Sequence, residues 1–395
     1  MSLGPKRDIA IVGGGPAGSS LALHLVRKER IAADRIVVVD KARFPRDKPC
    51  AGAISQFGLE VLSAIGVTPT VPSLPMHGVR VIEGETVGET QSPMGIVVRR
   101  TEFDAELLRL AAREGITVLE GDGLTNITRG AADWKLELGS GETIFARFVA
   151  AADGAGSATR KLLNLREPER KGHLYVLDTE ETNADTGVKR GLVDFDLSVL
   201  ADGLPGYYWD FPTPLGGRQQ VSRGIYDANL SPRKAANGKA VLAKALAKRG
   251  IDIAKTKLRP FSTRPYVPGS IAAIRGLVFV GESCGIDQTT GEGIAQAIEM
   301  GRLAATHLAE AVRTGHRDFS AYARDVRTST MGRHLLQSAW MCKRVYGRVG
   351  LPARKFLLQS DYARREAVRW YRGEELSLST QLKLGVGLAR SLFAR

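Results

Sequence analysis

The chain has 395 residues, 43% of them hydrophobic and 25% charged, the balance of a globular protein with room for two domains or one large domain carrying an inserted sheet. No run approaches the roughly 18 consecutive apolar residues of a membrane span. The opening MSLGPKRD leads into a strand without a signal-peptide core, so the expectation is a cytoplasmic protein, peripheral at a membrane at most. Three scattered cysteines and six histidines without ligand spacing point to no disulfide framework and no metal site.

In chain order, residues 8–12 and 36–40 read as buried parallel strands around a helix starting near Pro16, a βαβ unit. Directly after the first strand stands Gly13-x-Gly15-x-x-Gly18. Its first glycine permits the tight turn, its second lets backbone approach a pyrophosphate, and its third allows close helix–strand packing. The helix N-terminus at Pro16 and Ala17 then offers free N–H groups to the phosphates. Asp40, followed by Lys41, ends the second strand where an acid accepts from ribose hydroxyls. Dinucleotide binding is the expectation.

Thr101 to Asp104 reads as a capping box opening a helix through 114, and 116–119 as the next strand. From 124 to 152 short strands alternate with turns at Arg129-Gly130 and Gly139-Ser140-Gly141, a β-meander. Asp153-Gly154 then reads as a turn with Ser157 as a helix cap. Residues 173–266 are strand-rich (175–179, 191–196, 207–211, 219–226), with a helical insert at 232–249. A buried strand returns at 277–280, a helix begins near Gly293, and the chain from 315 is mostly helical. The fold expected is α/β: a Rossmann-type dinucleotide domain (1–75, 95–172 and 267–315) with an inserted antiparallel sheet for the substrate (76–94 and 173–266) and a helical C-terminal region (316–395).

The net charge of +14 is concentrated late, with 13 Lys/Arg against 4 Asp/Glu between Arg317 and Arg372. Such a patch suits anionic lipid, a phosphorylated substrate, a partner protein or only water. No nucleic-acid module accompanies it, and no nucleic acid is expected. At the end, Leu378, Leu382, Val386, Ala389 and Phe393 share one helical face, with Lys383 and Arg390 on the other. That pattern fits either packing on the chain's own body or an interfacial membrane helix.

Further motifs carry a resemblance. Ala152-Asp153-Gly154-Ala155-Gly156-Ser157 with Arg160, and Gly281-Glu282-Ser283-Cys284-Gly285 followed by Gly291-Glu292-Gly293-Ile294, resemble the paired motifs of the para-hydroxybenzoate hydroxylase-like flavoprotein superfamily. Within it, Pro45-Arg46-Asp47-Lys48-Pro49-Cys50-Ala51-Gly52 and Tyr207-Tyr208-Trp209-Asp210-Phe211-Pro212 resemble the geranylgeranyl reductase family. The likeness covers most of residues 6–312. It departs in Glu282 for the usual Asp, in Ala51 for the usual Gly, and in a shorter loop without proline before Thr289.

The resemblance implies FAD as cofactor and NAD(P)H as electron donor, the latter held without a second glycine fingerprint. It implies that Arg46, Cys50, Ala51, Arg100, Asp153, Gly154, Gly281, Glu282, Gly291, Gly293 and Ile294 join the glycine loop around FAD, with Arg99 able to exchange places with Arg100. Cys50 is then a catalytic thiol near the flavin, where composition alone reads a plain buried thiol. Tyr207, Trp209 and Phe211 fall on one face of a strand, a wall for an apolar or aromatic substrate or an ordinary sheet core.

The leading expectation is an FAD-dependent reductase of carbon–carbon double bonds in an isoprenoid or other apolar substrate. The alternative is a monooxygenase that hydroxylates an aromatic substrate or a residue of a partner protein. A halogenase is disfavoured because YYWDFP stands where WxWxIP would. A non-catalytic flavin-binding protein is disfavoured by intact motifs at three separate places.

Overall fold

The computed structural model describes residues 6–165, 170–230, 236–347 and 350–393. Two eight-stranded sheets organise it. The first contains β1 (Lys6–Val12), β2 (Ile36–Asp40), β6 (Thr117–Glu120), β7 (Leu124–Arg129), β8 (Trp134–Leu138), β9 (Thr143–Ala151), β15 (Ala273–Ile274) and β16 (Leu277–Phe279). Its order is β15-β16-β9-β1-β2-β6, with β8 and β7 continuing from β9. The pairs β16–β9, β9–β1, β1–β2 and β2–β6 are all parallel.

Parallel strands covered on both faces need near-continuous apolar runs. Ile9, Ala10, Ile11, Ile36 and Val38 are accordingly fully buried, each large side chain contributing about 1.5–3 kcal/mol of burial. Helices α1 (Pro16–Arg27), α3 (Arg100–Arg113) and α6 (Ile294–Thr314) pack around this ladder. Ser20 on α1 donates its hydroxyl to the Ile298 carbonyl on α6 at 2.8 Å, locking the two together.

The second sheet runs β14-β10-β13-β12-β11-β4-β5-β3, from β3 (Ala53–Ser55), β4 (Ser73–Glu83), β5 (Thr86–Val98), β10 (Gly172–Thr179), β11 (Leu192–Asp196), β12 (Gly206–Leu215), β13 (Arg218–Asp227) and β14 (Arg259–Thr263). It is antiparallel except where β11 joins β4. One face presents Tyr207, Trp209 and Phe211. The other carries Tyr208 and Asp210 beneath α5 (Gly238–Ala247), and there charge is buried in pairs. The fully buried Arg223 binds Asp185 at 2.6 Å and Asp210 at 2.5 Å. Arg249 binds Asp210 at 2.5 Å and lies 4.1 Å from the Tyr208 ring centroid.

Short helices α2 (Gln56–Ser63) and α4 (Ala158–Leu162) belong to the connections, α4 capped by Ser157 as expected. The C-terminal region is helical as read: α7 (Ser320–Thr328), α8 (Thr330–Val345), α9 (Leu351–Gln359), α10 (Asp361–Tyr371) and α11 (Leu378–Phe393). Among the described residues no helix is long and apolar enough to cross a membrane.

Two local expectations change. The Thr101–Asp104 capping box does not form: α3 starts at Arg100, and its N-cap residue Arg99 makes no side-chain cap bond. Asp104 is instead drawn to two arginines. The helical insert begins later than 232, at Gly238, because the Asn237 side chain accepts from the Ala240 N–H at 3.1 Å and caps it there; residues 231–235 lie outside the described residues.

Substituting Arg223→Met leaves the buried Asp185 without its cation and Asp210 with Arg249 alone. The expected loss of folding stability is about 3–5 kcal/mol, read as an earlier midpoint in urea unfolding.

Candidate active site

The C-terminal edge of the parallel sheet faces the second sheet across a cavity of about 620 Å³. Its first end is built by the glycine loop. Gly13 has φ 110°, and a Cβ there would lie 2.3 Å from the Ala152 carbonyl oxygen. A Cβ at Gly18 would lie 1.9 Å from the Gly13 carbonyl. These two glycines let strand, turn and helix close on one another. Gly15 differs: a Cβ there meets only the Arg46 guanidinium, at 3.4 Å, so this position faces the cavity.

No side chain caps α1, which leaves its first N–H groups to a ligand. Asp40 is held by the Gly14 N–H at 2.7 Å and the Ala42 N–H at 2.8 Å, and each carboxylate oxygen keeps further accepting capacity. Asp153 accepts from the Thr159 N–H at 2.8 Å through one oxygen, and its other oxygen is buried without a partner.

The middle of the cavity depends on Asp104, which is fully buried. Arg100 binds it with two bonds of 2.7 Å, and Arg46 adds a third contact at 3.0 Å. Burial works against the Arg100 charge, but Asp104 and then Cys50 outweigh it and hold the guanidinium above its ordinary pKa. One Arg46 nitrogen is buried without a partner. Arg99 turns the other way to Asp178 at 2.7 Å, which settles which of the two arginines faces the cavity. Lys48 reaches across to Glu282 at 3.1 Å while lying 3.9 Å from the Phe261 ring centroid. The Cys50 sulfur accepts from the Gly52 N–H at 3.3 Å.

The far end is aromatic. Tyr207, Trp209 and Phe211 line it together with Phe195 and Tyr226, with ring centroids 5.0 Å apart for Phe195–Tyr207 and 5.6 Å for Tyr207–Tyr226. The loop from 287 to 292 closes this end. Asp287 accepts from the Thr289 and Thr290 N–H groups at 2.6 and 3.0 Å, from the Thr290 hydroxyl at 3.0 Å, and from the Ser338 hydroxyl on α8. Although burial opposes it, bonding to His334, Ser338 and this loop keeps Asp287 below the usual carboxylate range.

The structure therefore gathers Gly13, Gly15, Pro16, Ala17, Asp40, Lys41, Arg46, Cys50, Ala51, Arg100, Asp153 and Gly154 along one cavity. Tyr207, Trp209, Phe211, Glu282, Gly291, Gly293 and Ile294 line it too. Gly18 and Gly281 stand behind the wall, the second against Ala17, whose Cβ would be 2.7 Å from a Cβ at Gly281. Phe195, Tyr226, Phe261, Glu292 and Tyr371 also line the cavity and were not singled out from sequence. Glu292 sat inside a quoted motif. Tyr371 lies in a region where no motif gave a signal. Among the described residues no group of three or more His, Cys, Asp or Glu is placed to hold a metal ion.

The donor set fits FAD. The α1 amides and the orphaned Arg46 nitrogen suit a pyrophosphate, Asp40 a ribose, Glu282 a polyol chain, and the aromatic end a planar ring. Fold and cavity together define a dinucleotide-binding flavoprotein oxidoreductase. Residues 6–198 match the FAD binding domain family model. The chain is 28% identical over 347 residues to the digeranylgeranylglycerophospholipid reductase of Methanoculleus marisnigri, covering 82% of this chain and 83% of that protein. It is 26% identical over 335 residues to the menaquinone reductase of Mycolicibacterium smegmatis, covering 76% of each.

A geranylgeranyl bacteriochlorophyll reductase-like protein of Thermoplasma acidophilum has the same fold, with a TM-score of 0.66 at 20% identity over 96% of this chain and 95% of that one. A flavin-dependent brominase shares it too, at 0.73 and 16% over 98% of each. Residues 6–198 resemble an FAD binding domain, and the chain is an FAD-dependent oxidoreductase.

Gly15→Val places a branched side chain in the space between the loop and Arg46. The variant is expected to purify without bound FAD, and a flavin absorbance equal to wild type would refute the phosphate-site assignment.

Proposed function

We propose that this enzyme reduces carbon–carbon double bonds in an isoprenoid or other apolar substrate, with NAD(P)H as electron donor. The observation that carries the reading is the aromatic end of the cavity. Its wall of Tyr207, Trp209, Phe211 and Phe195 suits a chain that offers shape and apolar surface rather than charge. The reductase names of the two curated relatives support the same reading. FAD supplies hydride chemistry when bound. The protein holds it by the glycine loop, keeps Arg100 charged beside Cys50, and seals the ring end from water with the loop at 287–292. Arg46, Lys48 and Arg100 bring three cations to the middle of the cavity, partnered by Asp104 and Glu282.

Dithionite-reduced holoenzyme mixed without oxygen with a digeranylgeranyl phospholipid is expected to give product heavier by two hydrogens as the flavin reoxidises. Flavin that stays reduced with this lipid, but reoxidises with oxygen while hydroxylating an aromatic compound, would replace this reading with a monooxygenase.

We further propose that the C-terminal region meets an anionic membrane surface. Helix α11 packs on α9 through Gly387, where a Cβ would lie 2.4 Å from the Phe356 ring. Its apolar residues point away from that contact: Leu378, Leu382 and Val386 are 77%, 71% and 52% exposed, and Lys383 is exposed beside them. The side chains of Arg390 and Phe393, expected on the same helix, lie outside the described residues. An outward apolar stripe with flanking basic charge is the make-up of an interfacial helix. The protein is expected to sediment with phosphatidylglycerol-containing vesicles, less so at high salt, and Leu382→Glu to abolish it. Equal recovery in the supernatant with and without these vesicles would overturn the idea.

A further inference from the structure

Glu292 stands where the loop at 287–292 turns into α6. It is 9% exposed and lines the aromatic end of the cavity with Cys50, Tyr207 and Tyr371. One carboxyl oxygen accepts from the Ala295 N–H at 3.0 Å. Among the described residues no Lys or Arg forms an ion pair with it. Burial pushes its pKa up to about 8; the Ala295 and Ile294 N–H groups oppose this, and the charge of Asp287 adds to it. A helix N-terminus by itself favours the anion, but here the desolvation is larger. The carboxyl therefore holds a proton at neutral pH, inside the cavity, without a cation to take its place.

The other groups nearby are worse placed to donate. The hydroxyls of Tyr207 and Tyr226 already donate to the carbonyls of Thr290 and Gln288. Asp287 is held ionised by its donors. Tyr371 on α10, which feels Glu292, Tyr207, Cys50 and Asp287, is pushed by burial and then by Glu292 well above the ordinary tyrosine value.

We propose that Glu292 is the catalytic acid that protonates the substrate double bond as it is reduced. The inference rests on the reductase reading above. FAD, held at the glycine loop and reduced by a nicotinamide-class donor, would supply the hydride that forms a C–H bond at one alkene carbon. The Glu292 O–H bond breaks, and its proton forms a C–H bond at the other carbon using the π electron pair. The substrate gains two hydrogens, the flavin loses two electrons, and the Glu292 carboxylate recovers its proton from solvent.

The test compares wild type with Glu292→Gln and Glu292→Asp. Glu292→Gln is expected to keep its FAD spectrum and its reduction by dithionite. Anaerobic single-turnover saturation of a digeranylgeranyl phospholipid should fall by about 10²-fold or more. Glu292→Asp, which keeps an acid, should restore part of the rate. The wild-type rate should decline as pH rises through about 8, and the residual Glu292→Gln rate should not.

A readout independent of turnover is apoprotein stability. The folded chain keeps this proton between the ordinary 4.5 and about 8 while the unfolded chain releases it. Wild type must therefore lose stability as pH rises across that window, and Glu292→Gln must lose less. If wild type saturates the lipid and Glu292→Gln does so at the same rate, the proposal falls and the reductase reading stands. If wild type saturates no apolar double bond, both fall together. Should Glu292→Gln purify without FAD, Glu292→Asp decides: a rate without the pH decline would overturn the proposal.

Discussion

A single buried carboxylate, Asp104, sets the geometry on which the cavity depends. An ionised group without water is strongly disfavoured unless it is paired and hydrogen-bonded, and Asp104 meets this with two guanidinium groups. Arg46 brings with it the loop that crosses the phosphate end. Arg100 brings its charge against Cys50. Because α3 carries the acid, a shift of that helix would move the phosphate end and the thiol end together.

Around this anchor the site is composite. The parallel sheet supplies backbone: glycines that let chain approach chain, and α1 amides aimed at phosphate. The second sheet supplies surface, as alternate residues of β12 face the cavity while Tyr208 and Asp210 support them from behind. The C-terminal helices supply constraint. Ser338 and His334 on α8 hold Asp287, the Tyr346 hydroxyl donates to the Thr289 carbonyl at 2.6 Å, and His334 stacks on Trp370 at 3.8 Å. The loop carrying Glu292 is thus positioned from outside the sheet that supplies it.

What could be read from sequence follows the range of the interactions. Gly13, Gly15, Gly18 and Asp40 were legible because a turn, a helix start and a strand end fix their spacing locally. The period-2 pattern of Tyr207, Trp209 and Phe211 was legible for the same reason. The capping box at Thr101–Asp104 was misread because a partner 58 residues away in the chain, Arg46, and the neighbouring Arg100 compete for the same carboxylate. The hairpin of β4 and β5 was placed with the substrate sheet but not resolved into strands, since Gly88, Pro93 and Gly95 interrupt its pattern. Tyr371 was invisible: nothing near it in sequence marks a residue that reaches a cavity begun at Gly13. Glu292 was visible as a motif member, but its isolation from cations exists only in three dimensions.

The strand order of the first sheet also bears on how the chain is made. β1 lies between β2 and β9, and β9 pairs with β16, so the ladder is drawn from segments between residues 6 and 279. Synthesis delivers the glycine loop early and the loop at 287–292 late. The apolar strand ahead of Gly13 leaves the ribosome long before its β9 neighbour, and the ring end of the cavity is finished only with α8 and α10. Cofactor capture is consequently a closing event in biogenesis.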